Sequence, residues 1–497
     1  CIRDRVGVGF YSRRHVKSVD GFVLGGRSVG PWLTAFAYGT SYFSAVVFVG
    51  YAGQFGWKYG IASTWIGIGN ALIGSLLAWV VLGRRTKVMT QHLRAKTMPD
   101  FFGQRYGSKA LKIVASVIVF VFLIPYTASV YNGLSRLFGM AFNIPYTWCV
   151  IAMAVFTAIY VILGGYMATA INDFIQGIIM LFGIVAVIAS VLNGQGGFME
   201  AVSKMAQIPS DVPATMGQPG AFTSFFGPDP LNLLGVVILT SLGTWGLPQM
   251  IGKFYAIKDE KSINTGTVIS TLFAIVISGG CYFLGGFGRL FDSAEIYNAE
   301  TGAVVYDSII PSMLSKLPDI LIGIVVVLVL SASMSTLSSL VLTSSSTMTL
   351  DLLKDNIMKE MSEKKQIITM QILIVFFIVV SVVIALDPPT FIAQLMGISW
   401  GALAGAFLAP FLYGLYWKGV TRAGVWAGFI AGVGITVSNM FIGYIASPIN
   451  AGAAAMVAGL VIVPLVSLVT PKLKKEDVDE IFTCYEEKVV STKKRNL

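Results

Sequence analysis

The sequence has little charge. Of its 497 residues only 12% are Asp, Glu, Lys or Arg, against 55% hydrophobic. A soluble domain carries about 25% charged residues, so this chain cannot cover a water-facing enzyme surface. Histidine is nearly absent: His15 and His92 both sit in charged stretches, which leaves no histidine relay for protons inside an apolar segment. Cysteine is scarce too. Cys1, Cys149, Cys281 and Cys484 form no Cys-x-x-Cys pair, and neither a disulfide scaffold nor a thiolate metal site is indicated. No HExxH and no strand-borne GxGxxG occurs. The stretch from Gly246 to Phe254 misses the spacing and the Ser/Thr of a phosphate-binding loop. The pattern points away from an enzyme and from ATP-driven work.

What the chain has instead is long apolar runs, with a mean hydropathy of +0.76. About 20 residues at 1.5 Å each cross a bilayer. Runs of that kind fall at 31–53, 61–83, 111–139, 147–163, 167–192, 231–251, 263–287, 319–349, 366–386, 391–417, 422–445 and 450–470. Before them, Val6–Tyr11 reads as the inner end of a leading helix whose beginning is missing. The expected class is an all-α polytopic membrane protein, a single transmembrane transporter domain over 1–497 ending in a cytoplasmic tail at 471–497.

The net charge of +10 tests this layout. Alternate loops assigned to the inside are 1–30, 84–112, 163–167, 252–262, 350–365, 418–422 and 471–497. They hold 30 of the 35 basic residues. Positive charge flanking membrane spans stays cytoplasmic, so the excess is an orientation signal for a plasma (inner) membrane protein. A nucleic-acid partner is not implied, and no obligate protein partner is evident. The Gly- and Pro-rich outer loop 193–230 is expected to pack over the outer mouth, and Gly401-Ala-Leu-Ala-Gly405 to pack helices closely.

Three segments and one acid carry chemistry. In the first span, Gly39, Thr40, Ser41 and Ser44 place small polar residues near mid-membrane, where a helix either unwinds or bonds its hydroxyls back to the preceding turn. In the sixth, Gly243, Gly246 and Pro248 crowd into one stretch. Interrupted helices at matching positions of two halves point to a transport site, and spans one and six open two five-helix halves of opposite topology. In the eighth, Ala332, Ser335, Thr336 and Ser339 share one helical face. Their hydroxyls, with carbonyls freed from span one, make a low-charge oxygen cage of the kind a small monovalent cation takes; the alternative is a Ser/Thr-rich helix interface. Asp173 is the one acid deep in a span, a costly placement that marks a functional site by default.

Together these segments resemble the sodium:solute symporter family. The resemblance rests on Gly164-Gly165 followed by Asn172-Asp173-Phe174-Ile175-Gln176, on Gly246-Leu247-Pro248-Gln249 with Lys258-Asp259, and on Met334-Ser335-Thr336-Leu337-Ser338. It implies the inverted five-helix repeat of the bacterial leucine transporter with extra flanking helices. The implied activity is sodium-coupled symport of a small organic solute by alternating access, with Na+ as the coupling ion and the lipid bilayer as surroundings. The implied sodium ligands are Thr40, Phe43 and Ala332 through the backbone and Ser335 and Thr336 through hydroxyls; Asp173, Ser338 and Ser339 keep the residue types of a second sodium site. Tyr126 stands where the proline-transporting branch has a tyrosine. Tyr42 and Val46 replace that branch's aspartate and tryptophan, so a solute with a carboxylate and an apolar body is expected, whether proline, pantothenate or a monocarboxylate. Ser41, Ser44, Val46, Tyr126, Thr244, Trp245 and Pro248 are the candidate lining. A proton-coupled transporter using Asp173, a channel and a sensor module are the competing readings.

Overall fold

The computed structural model describes residues 18–486. The expected leading stub and the end of the tail lie outside them. Among the described residues there are helices and two isolated bridges, Val29 with Ile257 and Tyr297 with Val304, but no strand. A backbone crossing hydrocarbon must satisfy its own N–H and C=O groups, which leaves a helix as the local solution for apolar runs of this length.

Eleven of these helices are long and apolar enough to cross a membrane. Ten match expected spans one for one. The difference lies at the start, where the first crossing is broken. Its first half, Pro31–Tyr42, is only 12 residues long. Its second half, from Val46, runs on into the second crossing, so that Val46–His92 counts as one helix of 47 residues. Gly60 makes that turn with φ +60°, and a Cβ there would sit 2.2 Å from the Phe222 carbonyl oxygen. Gly165, at φ +54°, does the same between the fourth crossing, Tyr146–Leu163, and the fifth, Gly165–Gly194. Only glycine takes such a conformation without strain.

The tenth crossing, Ile392–Tyr416, is 89% buried, whereas the ninth, Glu363–Leu386, is 28% buried and shows Ile372, Phe376, Val379 and Val383 on its outer face. The eleventh and twelfth, Arg422–Ile442 and Pro448–Val469, close over the tenth through small residues. A Cβ added to Gly401 would meet Gly452 at 2.7 Å, and one on Gly432 would meet the Ala406 nitrogen at 2.1 Å. The expected close packing at Gly401–Gly405 is therefore present. The loop 193–230 is pinned as well: Arg289 holds Asp211 at 2.6 Å and lies over the Phe222 ring, and Trp65 donates to the Phe225 carbonyl at 2.8 Å.

Gly432→Val should cost about 1–3 kcal/mol through overpacking and lower the melting temperature in detergent. Gly434→Val, where a Cβ meets open space, should leave it unchanged. Equal melting temperatures for the two would mean that the glycine contact does not hold the helices.

Candidate functional site

The break in the first crossing follows from its residues. The chain leaves the helix at Phe43, whose φ of −91° and ψ of 113° are extended, and winds again from Val46. A helix end leaves carbonyls on one side and amides on the other without intrahelical partners. Side chains supply part of what is missing. Ser44 caps the Val46 amide at 3.2 Å, and Ser333 of the eighth crossing, Asp319–Ile357, accepts from the Ala45 amide at 2.9 Å.

The carbonyl side is met by Thr336. Its hydroxyl lies 3.1 Å from the Thr40 carbonyl oxygen, 3.3 Å from that of Phe43 and 3.2 Å from that of Ala332. Ser335 donates to the Thr40 hydroxyl at 2.8 Å, and Thr40 donates in turn to the Phe36 carbonyl. The five expected sodium ligands are thus brought together, all buried. One hydroxyl carries one proton, so Thr336 cannot serve three carbonyls at once. The surplus is of oxygen lone pairs, without formal negative charge. A hard monovalent cation supplies what such a set lacks.

The second group is arranged differently. Ser338 bonds back to the Ser335 carbonyl at 2.8 Å. Ser339 meets Ser41 at 3.0 Å and receives the ammonium of Lys253 at 3.1 Å. Asp173 is fully buried. Lys253 is itself buried, 5.1 Å from the centroid of the Tyr166 ring. Lys253 falls in the loop 252–262 expected from the sequence, but the helix runs on through Phe254, Tyr255 and Ala256, and the sixth crossing extends about one turn beyond the expected end at 251; the apolar character of Phe254, Tyr255 and Ala256 is the signal for it.

The candidate lining separates into parts. Ser44 is occupied with the Val46 amide, and Val46 is packed in the core. Tyr126 is buried edge-on to Trp400, with ring centroids 6.0 Å apart. Thr244 and Trp245 are tied to the second crossing: Thr244 donates to the Gly74 carbonyl at 3.0 Å, Trp245 to that of Ile73 at 2.9 Å. Residues Asn70–Leu77 are wound wider than an α-helix. Tyr38 also donates to Gly74, at 2.8 Å. Ser41 joins the second group through Ser339. Of the seven, only Pro248 lines the small cavity of about 50 Å³ beside Lys253, with Tyr166, Thr169, Gln249, Ser339 and Thr343 among its other walls. Gln249 was not expected. It is buried, and neither its amide oxygen nor its amide nitrogen has a hydrogen-bond partner.

The sequence profile of the sodium:solute symporter family matches residues 22–432. The chain belongs to that family. Family members are transporters and not enzymes. A sodium/proline symporter of Staphylococcus aureus (strain JH9) is 31% identical over 488 residues, covering 94% of this chain and 90% of that protein. Among solved structures, a substrate-bound, outward-open Na+-coupled sialic acid symporter aligns over 95% of this chain and 97% of its own, with a TM-score of 0.73 at 15% identity. Mhp1, a nucleobase-cation-symport-1 family transporter in a closed conformation with bromovinylhydantoin bound, aligns over 93% and 98%, with a TM-score of 0.52 at 14% identity. These likenesses establish the fold. The symporter is a multi-pass membrane protein with the leucine-transporter architecture, in which the first and sixth crossings begin the two repeats.

Thr336→Val keeps the shape and removes the hydroxyl, leaving the carbonyls without their donor. It should cost about 1–3 kcal/mol, read as a lower melting temperature, while Thr336→Ser stays near wild type. An unchanged melting temperature for Thr336→Val would show that the three carbonyls do not depend on it.

Proposed function

We propose that the protein couples inward movement of Na+ to uptake of a small organic solute by alternating access. The observation that carries this reading is the Thr336 hydroxyl facing three carbonyls where the broken first crossing meets the eighth. The cage binds one sodium through Thr40, Phe43, Ala332, Ser335 and Thr336. Bound there, the ion pins the break to the eighth crossing; without it the two segments separate more easily, and that difference couples ion to gate.

The energetics suffice. One charge crossing 100 mV supplies about 2.3 kcal/mol. A tenfold sodium gradient adds about 1.4 kcal/mol, and together they sustain roughly 500-fold accumulation per ion.

The solute carries a carboxylate and an apolar body, and proline is the first candidate because the S. aureus relative is named a sodium/proline symporter. Tyr42 and Val46, in place of the proline branch's aspartate and tryptophan, favour pantothenate or a monocarboxylate as well. The helix Pro248–Ala256 starts at the break of the sixth crossing. Its amino end favours an anion, and the unpartnered Gln249 amide offers a donor and an acceptor beside it. The basic inner segments orient the chain in the plasma membrane with its C-terminus in the cytoplasm.

Proteoliposomes supplied with labelled proline, other amino acids, pantothenate and monocarboxylates should accumulate one class only under an inward sodium gradient. Uptake that ignores sodium and follows an imposed pH gradient would overturn the reading. Ser335→Ala with Thr336→Ala should raise the half-saturating sodium concentration tenfold or more. An unchanged sodium dependence would assign the pair to packing alone.

A further inference from the structure

We propose that Tyr38 is the positioning residue that couples the sodium cage to the break of the sixth crossing, and that it acts through the Gly74 carbonyl. This rests on the sodium-coupled reading above. Two hydroxyls from the two broken crossings meet at that one carbonyl: Tyr38 of the first lies 2.8 Å from it and Thr244 of the sixth 3.0 Å. All three residues are buried. Thr244 has a second acceptor within reach, the Ser241 carbonyl of its own helix, also at 3.0 Å. One hydroxyl carries one proton, so Thr244 serves either its own helix or the shared carbonyl.

Tyr38 precedes Thr40 of the cage by two residues, on the same helix. At 3.6 residues per turn the two side chains stand about 200° apart around it. Thr40 accordingly meets the eighth crossing, through Ser335 and Thr336, while Tyr38 meets the second and the sixth. The Tyr38 ring lies 5.4 Å from that of Phe254, on the helix that follows the sixth crossing's break, and 5.6 Å from that of Trp79. Phe254 and Trp79 are themselves 5.1 Å apart. Held between them, the ring moves with the turn that carries Thr40.

A cation drawing on the Thr40 carbonyl shifts that turn, and with it the hold of the Tyr38 hydroxyl on Gly74. The stronger that hold, the less the carbonyl draws the Thr244 proton away from Ser241. A solute at the sixth crossing's break biases the same choice from the other side. The Thr244 hydroxyl is thus an element with two arrangements that both ligands can shift, which is what coupling between two sites requires.

The test is solute binding to the purified full chain with and without sodium, using radiolabelled L-proline, pantothenate and lactate in turn. On wild type, sodium should tighten one of them about tenfold or more, and by linkage that solute should tighten radiolabelled sodium by the same factor. Tyr38→Phe keeps the ring and removes the hydroxyl. It should cut both factors to about twofold or less, with the melting temperature, and the sodium affinity measured without solute, as in wild type. Thr244→Val should lose the coupling as well, the two together no more than either alone, and it carries the test if Tyr38→Phe does not fold. A variant that keeps the wild-type factor would overturn the inference. So would a Tyr38→Phe protein that binds sodium more weakly without solute, because Tyr38 would then shape the cage itself. If sodium tightens none of the three solutes on wild type, the sodium-coupled reading fails, and this inference with it.

Discussion

A backbone inside a bilayer has no water to bond to, and the rest of the structure is arranged around that constraint. A helix break at mid-membrane leaves carbonyls and amides that must find partners within the protein. The first crossing breaks at Phe43, and the eighth brings Ser333, Ser335 and Thr336 to meet it. The sixth crossing breaks after Leu242, and the widened stretch Asn70–Leu77 of the second accepts from Thr244 and Trp245. The two breaks are closed in opposite senses. The first is short of donors and borrows hydroxyls from a neighbour; the sixth lends its own donors to a neighbour's carbonyls. At the first the surplus is of oxygen lone pairs, and there a cation fits.

Much of this was readable from residue types. Length and hydropathy place the spans, and Gly, Ser and Thr in one stretch of an apolar run mark the first break. The i, i+3, i+4 spacing of Ala332, Ser335 and Thr336 puts them on one face, and that face meets Thr40 and Phe43. Other features depend on what packs where. A wide turn over Asn70–Leu77 has no signature of its own, so nothing along the chain shows that Thr244 and Trp245 face the second crossing. Gln249 reads as a polar residue near a helix start until its surroundings are seen. Lys253 reads as a loop lysine at a membrane edge, because a lysine there is normally solvated. Its burial follows from what packs around it, Tyr166 and Ser339 among them, which no local pattern links to it. The first two spans merge because Gly60 reverses the chain within helical winding, where a run of apolar residues suggests two separate helices.

The charges describe how such a protein works. The oxygen cage is neutral, so an ion entering it adds one positive charge that can leave again. On the proposed reading the joint between the first and eighth crossings is the part that senses the ion.

On the proposed reading the coupling ion sits between Thr40, Phe43, Ala332, Ser335 and Thr336. Anomalous diffraction from crystals soaked in thallium, a heavy monovalent cation that can replace sodium, tests it most directly. One strong peak is expected within bonding distance of those five oxygens, lost when sodium is added in excess. A peak beside Asp173 instead, or an empty cage in crystals of protein that transports solute with sodium, would contradict it.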